Sequence, residues 1–133
     1  MKARFADTSF YVALLNEADA GHEKALETGG SWRGPIVTTE YVLGELGNCL
    51  AAWGAREAFV SFMRQMETDG QTRIVWATEQ LFRDGLELYA KYWDKEWSMT
   101  DCISFVLMQR EGLVEALTAD HHFDQAGFVA LMR

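Results

Sequence analysis

Positive charge is what this sequence has too little of. Twelve lysines and arginines stand against 20 acids in 133 residues, a formal net charge of −8. Proteins that grip a phosphate backbone normally present a basic surface, so a general duplex-DNA binder is excluded unless something restores positive charge locally. The single proline, Pro35, sits at the start of an expected strand, where its missing N–H costs little. No Pro/Ser-rich linker, repeat or low-complexity tract marks a boundary, so one domain over residues 1–133 is expected. The only cysteines, Cys49 and Cys102, lack CxxC or Cys/His ligand spacing. That speaks against a disulfide framework and a structural zinc, and fits a reducing cytoplasm. No apolar run is long enough to span a bilayer, and the segment MKARFADTSF turns polar too early for a signal peptide, so a cytoplasmic protein without membrane attachment is expected.

What the sequence does contain is 49% hydrophobic residues, enough for a core in a chain of this length. Apolar patterning alternates between short strand-like runs and longer helical ones. Strands are expected at Ala3–Ala6, Ile36–Thr38, Thr72–Ala77, Glu115–Thr118 and Phe128–Leu131. Helices are expected at Thr8–Asn16, His22–Glu27, Thr39–Ala52, Arg56–Glu67, Glu79–Trp93 and Met99–Arg110. Strands alternating with helices imply right-handed crossovers, hence an α/β three-layer α/β/α sandwich around a central, mostly parallel sheet of about five strands. The five tryptophans and the Phe59, Phe62, Met63, Met66 stripe follow helical spacing and read as core, part of the stripe being open to a dimer or partner role.

In open parallel sheets, ligands bind beyond the carboxyl ends of the strands. Asp7 directly follows the first strand and Asp120 the fourth, so both carboxylates reach one end of the sheet if those strands are neighbours; either alone also reads as a helix N-cap. Glu45 is the only charge in Tyr41–Trp53, a helix that reads as buried nearly all round. A carboxylate there must be paired, protonated or bound to a metal. Asp101 stands third in Ser98-Met99-Thr100-Asp101, a capping-box pattern whose first-turn acid also points out of the helix end. Glu40 reads as an exposed first-turn acid favoured by the helix dipole, Asp124, one helical turn beyond Asp120, as a solvated loop acid with an additional outer-ligand role left open, and His121 and His122 as surface or packing residues without zinc spacing.

These acids, in the phrases Ala6-Asp7-Thr8-Ser9, Gly44-Glu45-Leu46, Thr100-Asp101-Cys102 and Leu117-Thr118-Ala119-Asp120-His121-His122-Phe123, resemble the PIN-domain nucleases, in particular the VapC-type toxins of toxin-antitoxin pairs, along the whole chain. The resemblance implies a metal-dependent endoribonuclease. Asp7 and Asp101 would hold a principal Mg²⁺ (Mn²⁺ as substitute), and Glu45 and Asp120 would complete the shell or place a second ion. Ser9 and Thr118 would orient waters or phosphate oxygens, and a metal-activated water would hydrolyse RNA. It also implies a homodimer and a cognate antitoxin protein. Oxygen-only ligation suits such hard cations, and a bound cation would restore positive charge where a phosphate docks. A receiver domain would need paired acids after the first strand and a lysine after the last, and a haloacid-dehalogenase-type phosphatase an Asp-x-Asp; Asp7-Thr8-Ser9 and the lysine-free tail Phe128–Arg133 match neither. A catalytically silent PIN-fold interaction module is the remaining alternative.

Overall fold

Arg4-Phe5-Ala6 becomes the central strand β1 (Arg4–Ala6), and the chain leaves it through Asp7 into α1 (Thr8–Leu15). A short helix α2 (His22–Ala25) runs on through one wide π turn, Leu26–Gly30, before β2 (Ile36–Thr39). Then follow α3 (Glu40–Ala52), α4 (Arg56–Thr68), β3 (Thr72–Val75), α5 (Glu79–Lys91), α6 (Met99–Glu111), β4 (Glu115–Leu117), α7 (His121–Gln125) and β5 (Val129–Ala130). The structure, a computed structural model, describes residues 1–133. No helix in it is long and apolar enough to cross a membrane.

The five strands stand in the order β3-β2-β1-β4-β5. Every pairing is parallel, where the sequence led us to expect only a mostly parallel sheet. The chain steps outward from β1 to β3, then crosses back to add β4 on the other side of β1. The strand order therefore reverses between β1 and β4, which is where open sheets of this kind leave a crevice. Register makes the crevice useful: Phe5 lies opposite Ala116 and Ala6 opposite Leu117, so β1 and β4 end level and Asp7 emerges beside Thr118.

The core is built on both faces of these strands from Phe5, Phe10, Leu46, Phe105, Met108, Leu117 and Phe123, all essentially inaccessible. Helix α6 is the most enclosed, with Asp101 to Phe105, Leu107 and Met108 buried. It packs on α5 at Gly85, where an added Cβ would stand 3.3 Å from the Ile103 Cα, so the two helices can approach this closely only without a side chain there. Gly112 ends α6 at φ +65°, a left-handed conformation that glycine adopts without strain.

Several expectations need correction. The helix carrying Glu45 is not buried all round: Gly44 and Asn48 are exposed and Glu45 itself is half-buried, because the outer face is made of small uncharged residues rather than charged ones. Trp53, Trp76 and Trp93 are exposed, Trp93 to 83%, so helical spacing alone misplaced them in the core. Phe59, Phe62 and Met63 do pack against the core, and Met66 is buried in it. Helix α7 was not expected; Asp120 starts it by accepting the His122 amide.

Candidate active site

At the carboxyl ends of β1 and β4 opens a cleft of about 590 Å³ lined by Asp7, Thr8, Ser9, Glu45, Ser98, Asp101, Asp120 and His122 among others, and by no lysine or arginine. The structure thus brings the four acids singled out from the sequence to one place, although they come from four different elements. Asp7 leaves β1, Glu45 projects from the second turn of α3, Asp101 from the first turn of α6, and Asp120 follows β4.

Each carboxylate is held by one oxygen and left open at the other. Asp7 Oδ2 accepts from the Thr118 hydroxyl at 2.8 Å and from the Ser9 hydroxyl at 3.3 Å. It makes no side-chain cap for α1, which removes the capping explanation for this residue. Glu45 Oε1 accepts from the Thr8 hydroxyl at 2.6 Å. Asp101 Oδ2 accepts from the Ser98 amide at 3.1 Å, completing the capping box expected from the sequence, and from His122 Nδ1 at 3.0 Å. Asp120 Oδ1 accepts from the His122 amide at 2.9 Å. No side-chain hydrogen bond reaches Asp7 Oδ1, Glu45 Oε2, Asp101 Oδ1 or Asp120 Oδ2, and the Asp7 carboxylate is also approached by the Thr8 backbone amide. Carboxylates oriented through one oxygen and open at the other are what a metal's outer hydrogen-bonding partners produce.

Charge at the site is held under tension. Asp7, 5% exposed, has its pKa raised to about 6, chiefly by burial and further by the charges of Asp101 and Asp120, while the hydrogen bonds from the Thr118 hydroxyl and the Thr8 amide oppose the rise. Asp101, 7% exposed, is also shifted upward, again chiefly by burial, with the Ser98 amide and His122 opposing. Two buried acids that resist ionisation beside a third acid form a poor site for a bare anion and a good one for a cation.

The remaining candidates sort themselves by position. Thr118 is fully buried, and its hydroxyl is engaged by Asp7, Ser9 and the Asp120 amide. Its hydroxyl is thus engaged within the protein, on Asp7 among others, where the resemblance had implied a role in orienting waters or phosphate oxygens. Ser9 lines the cleft, bonded to Thr118 and to the Ala119 amide. Asp124 does not reach the cleft: its carboxylate pairs with Arg133 at 2.8 Å and accepts the Ala130 amide. Glu40 accepts the Ala77 amide outside the cleft. His122 was misplaced by the sequence reading. It lines the cleft because the unexpected α7 turns it back toward Asp101, whereas His121 stays exposed. Thr8, Asp19 and Glu96 also line the cleft without having been singled out. Asp19 and Glu96 lie in loops with no pattern to flag them; Thr8 stood in the quoted Asp7-Thr8-Ser9 phrase, but its contact with Glu45 spans 37 residues.

Comparison with known proteins decides the family. The family model described as PIN domain matches residues 4–129. The chain belongs to the PIN domain family. Over 126 residues it is 32% identical to the 23S rRNA-specific endonuclease VapC20 of Mycobacterium tuberculosis, an alignment covering 94% of this chain and 95% of that protein. The crystal structure of Mycobacterium tuberculosis VapC20, described as a sarcin-ricin loop cleaving toxin, superposes with a TM-score of 0.85 at 30% identity, over 94% of this PIN chain and 95% of that one. VapBC2 from Rickettsia felis, solved bound to a DNA fragment from its promoter, matches with a TM-score of 0.68 over 96% of each chain; at 14% identity the likeness concerns the fold.

Proposed function

We propose that residues 1–133 form a single nuclease domain that hydrolyses RNA with a divalent cation, as the toxin of a type II toxin-antitoxin pair. One observation carries this reading: Asp7, Glu45, Asp101 and Asp120 line one cleft, each fixed through one oxygen and open at the other. An all-oxygen donor set of this kind fits Mg²⁺ or Mn²⁺. Asp7 and Asp101 hold the principal ion, and Glu45 and Asp120 complete its shell or place a second. When bound, such an ion supplies Lewis acidity to the water nucleophile and neutralises charge on the phosphate.

The chain's own groups do the rest by positioning. Thr118 and Ser9 keep Asp7 turned toward the cleft, Thr8 does the same for Glu45, and the α6 capping box aims Asp101 out of the helix end. With no lysine or arginine on the cleft wall, RNA enters only after the acids have been neutralised, which reconciles a net charge of −8 with a phosphodiester substrate.

The relative named for 23S rRNA cleavage is similar along nearly the whole chain, which supports large-subunit ribosomal RNA as the substrate class. The protein works in the cytoplasm, as a homodimer neutralised by a cognate antitoxin. Phe82, Leu86 and Tyr89 form an exposed apolar row on α5, with Trp76 and Trp93 exposed nearby in the chain, and offer surface for such association; a monomer mass by light scattering would remove the dimer. The enzymatic reading is tested by incubating metal-free protein with 23S rRNA, tRNA and mRNA, with Mg²⁺, Mn²⁺ or EDTA, and mapping new ends. Metal-dependent cutting at a discrete 23S position is expected. Cutting undiminished by EDTA, or no cutting of any RNA with either ion, overturns it.

A further inference from the structure

Asp101 and Asp120 belong to elements far apart in sequence, the start of α6 and the turn after β4, and a single residue joins them. The His122 backbone amide donates to Asp120 Oδ1 at 2.9 Å, and its ring Nδ1 lies 3.0 Å from Asp101 Oδ2 and 3.4 Å from Asp120 Oδ1. A carboxylate oxygen only accepts, so Nδ1 carries the proton of the bond to Asp101. Asp101 Oδ2 already receives the Ser98 amide, which completes the helix cap without help from the histidine. The ring bond is therefore additional to the cap. It saturates the oxygen that faces the protein and leaves Oδ1 clear. With its side chain only 16% exposed and its amide engaged in the first turn of α7, His122 has little freedom to turn elsewhere.

We propose that His122 is a positioning residue for the metal centre, one that clamps Asp101 and Asp120 into a common geometry through its amide and its Nδ1–H without itself binding the ion. This rests on the metal-dependent reading given above. Outer hydrogen-bonding partners of metal ligands are worth about 10- to 100-fold in metal affinity when removed. The clamp also separates the ring's two nitrogens: the near one acts, and the far one is not needed. Asparagine places a side-chain N–H close to the position of Nδ1, whereas glutamine reproduces the position of Nε2.

The test is calorimetric titration of metal-free wild type, His122→Ala, His122→Asn and His122→Gln with Mn²⁺ and separately with Mg²⁺, each protein first checked for folding by circular dichroism. Wild type is expected to bind both ions. His122→Ala and His122→Gln should bind each about 10- to 100-fold more weakly, with the Mn²⁺/Mg²⁺ ratio unchanged, and His122→Asn should recover most of the loss. If the alanine variant does not fold, the asparagine and glutamine pair decides. Affinities equal to wild type in all folded variants overturn the clamp. So does recovery by glutamine but not asparagine, which would mean that the far nitrogen acts. A loss confined to Mn²⁺ overturns it too, since that marks the imidazole as a ligand, with Asp120, His121 and His122 able to bring donor atoms within 4.8 Å of one another. A wild type that binds neither ion fails the metal-dependent reading itself, and is distinguishable from all of these.

Discussion

Replacing Asp7 by asparagine separates a structural acid from a metal-holding one through opposite signs in stability and binding. Asp7 is 5% exposed and its carboxyl, at about 6 in the folded protein against an ordinary 3.8, holds its proton more tightly when folded. Between those values the folded state binds more protons than the unfolded chain, so stability contributed by this group is fully present below about pH 3.8 and is lost as pH rises through about 6. At neutral pH the ion-free protein then carries a penalty of about 3 kcal/mol, the shift multiplied by roughly 1.36 kcal/mol per unit. Asparagine removes the charge and keeps an oxygen to accept the Thr118 hydroxyl. The ion-free variant should melt higher than wild type at neutral pH, by at most about 10 °C for a chain of this length, and the advantage should vanish near pH 4. In Mn²⁺ at about 100 times its dissociation constant, wild type gains about 2.7 kcal/mol and the variant should gain almost none. Thermal melts across pH, in EDTA and in Mn²⁺, read all of this at once. An ion-free variant less stable than wild type at neutral pH, or one that keeps the full Mn²⁺ gain, would refute the reasoning.

Other outcomes follow from the same geometry. Asp101→Asn should keep the capping bond from the Ser98 amide and melt without Mn²⁺ within about 1 kcal/mol of wild type, while Asp101→Ala should cost about 0.5 to 2 kcal/mol more; both should lose the Mn²⁺-induced shift in a melt. Thr8→Val frees Glu45 Oε1 and should weaken Mn²⁺ binding about 10-fold or more by calorimetry with little change in ion-free stability. Gly85→Ala forces a Cβ against Ile103 and should cost about 1 to 3 kcal/mol in urea unfolding.

The architecture was legible where local chemistry and long-range packing agree. Arg4-Phe5-Ala6 followed by Asp7 reads as a strand meeting a helix, and Ser98 with Asp101 reads as a capping box; both hold in the structure. Reading stopped where one of the two was silent. The π turn at Leu26–Gly30 and the five-residue α7 are too short to show a period. The exposed Trp53, Trp76 and Trp93 fall just beyond helix or strand ends, where helical spacing no longer says which way a side chain faces. At the site, acids placed directly after strands or in a first helical turn announce themselves. Thr8 and His122 do not, because what distinguishes them is a partner 37 or 21 residues away.

Whether the four carboxylates hold a divalent ion can be seen in the anomalous diffraction of a crystal soaked in Mn²⁺. An anomalous peak is expected in the cleft within bonding distance of Asp7 Oδ1 and Asp101 Oδ1, approached by Glu45 Oε2 and Asp120 Oδ2. The opposite oxygens should keep their bonds to Thr118, Thr8, Ser98 and His122. No peak in the cleft at saturating Mn²⁺, or a peak held instead on the exposed side by His121, would contradict it.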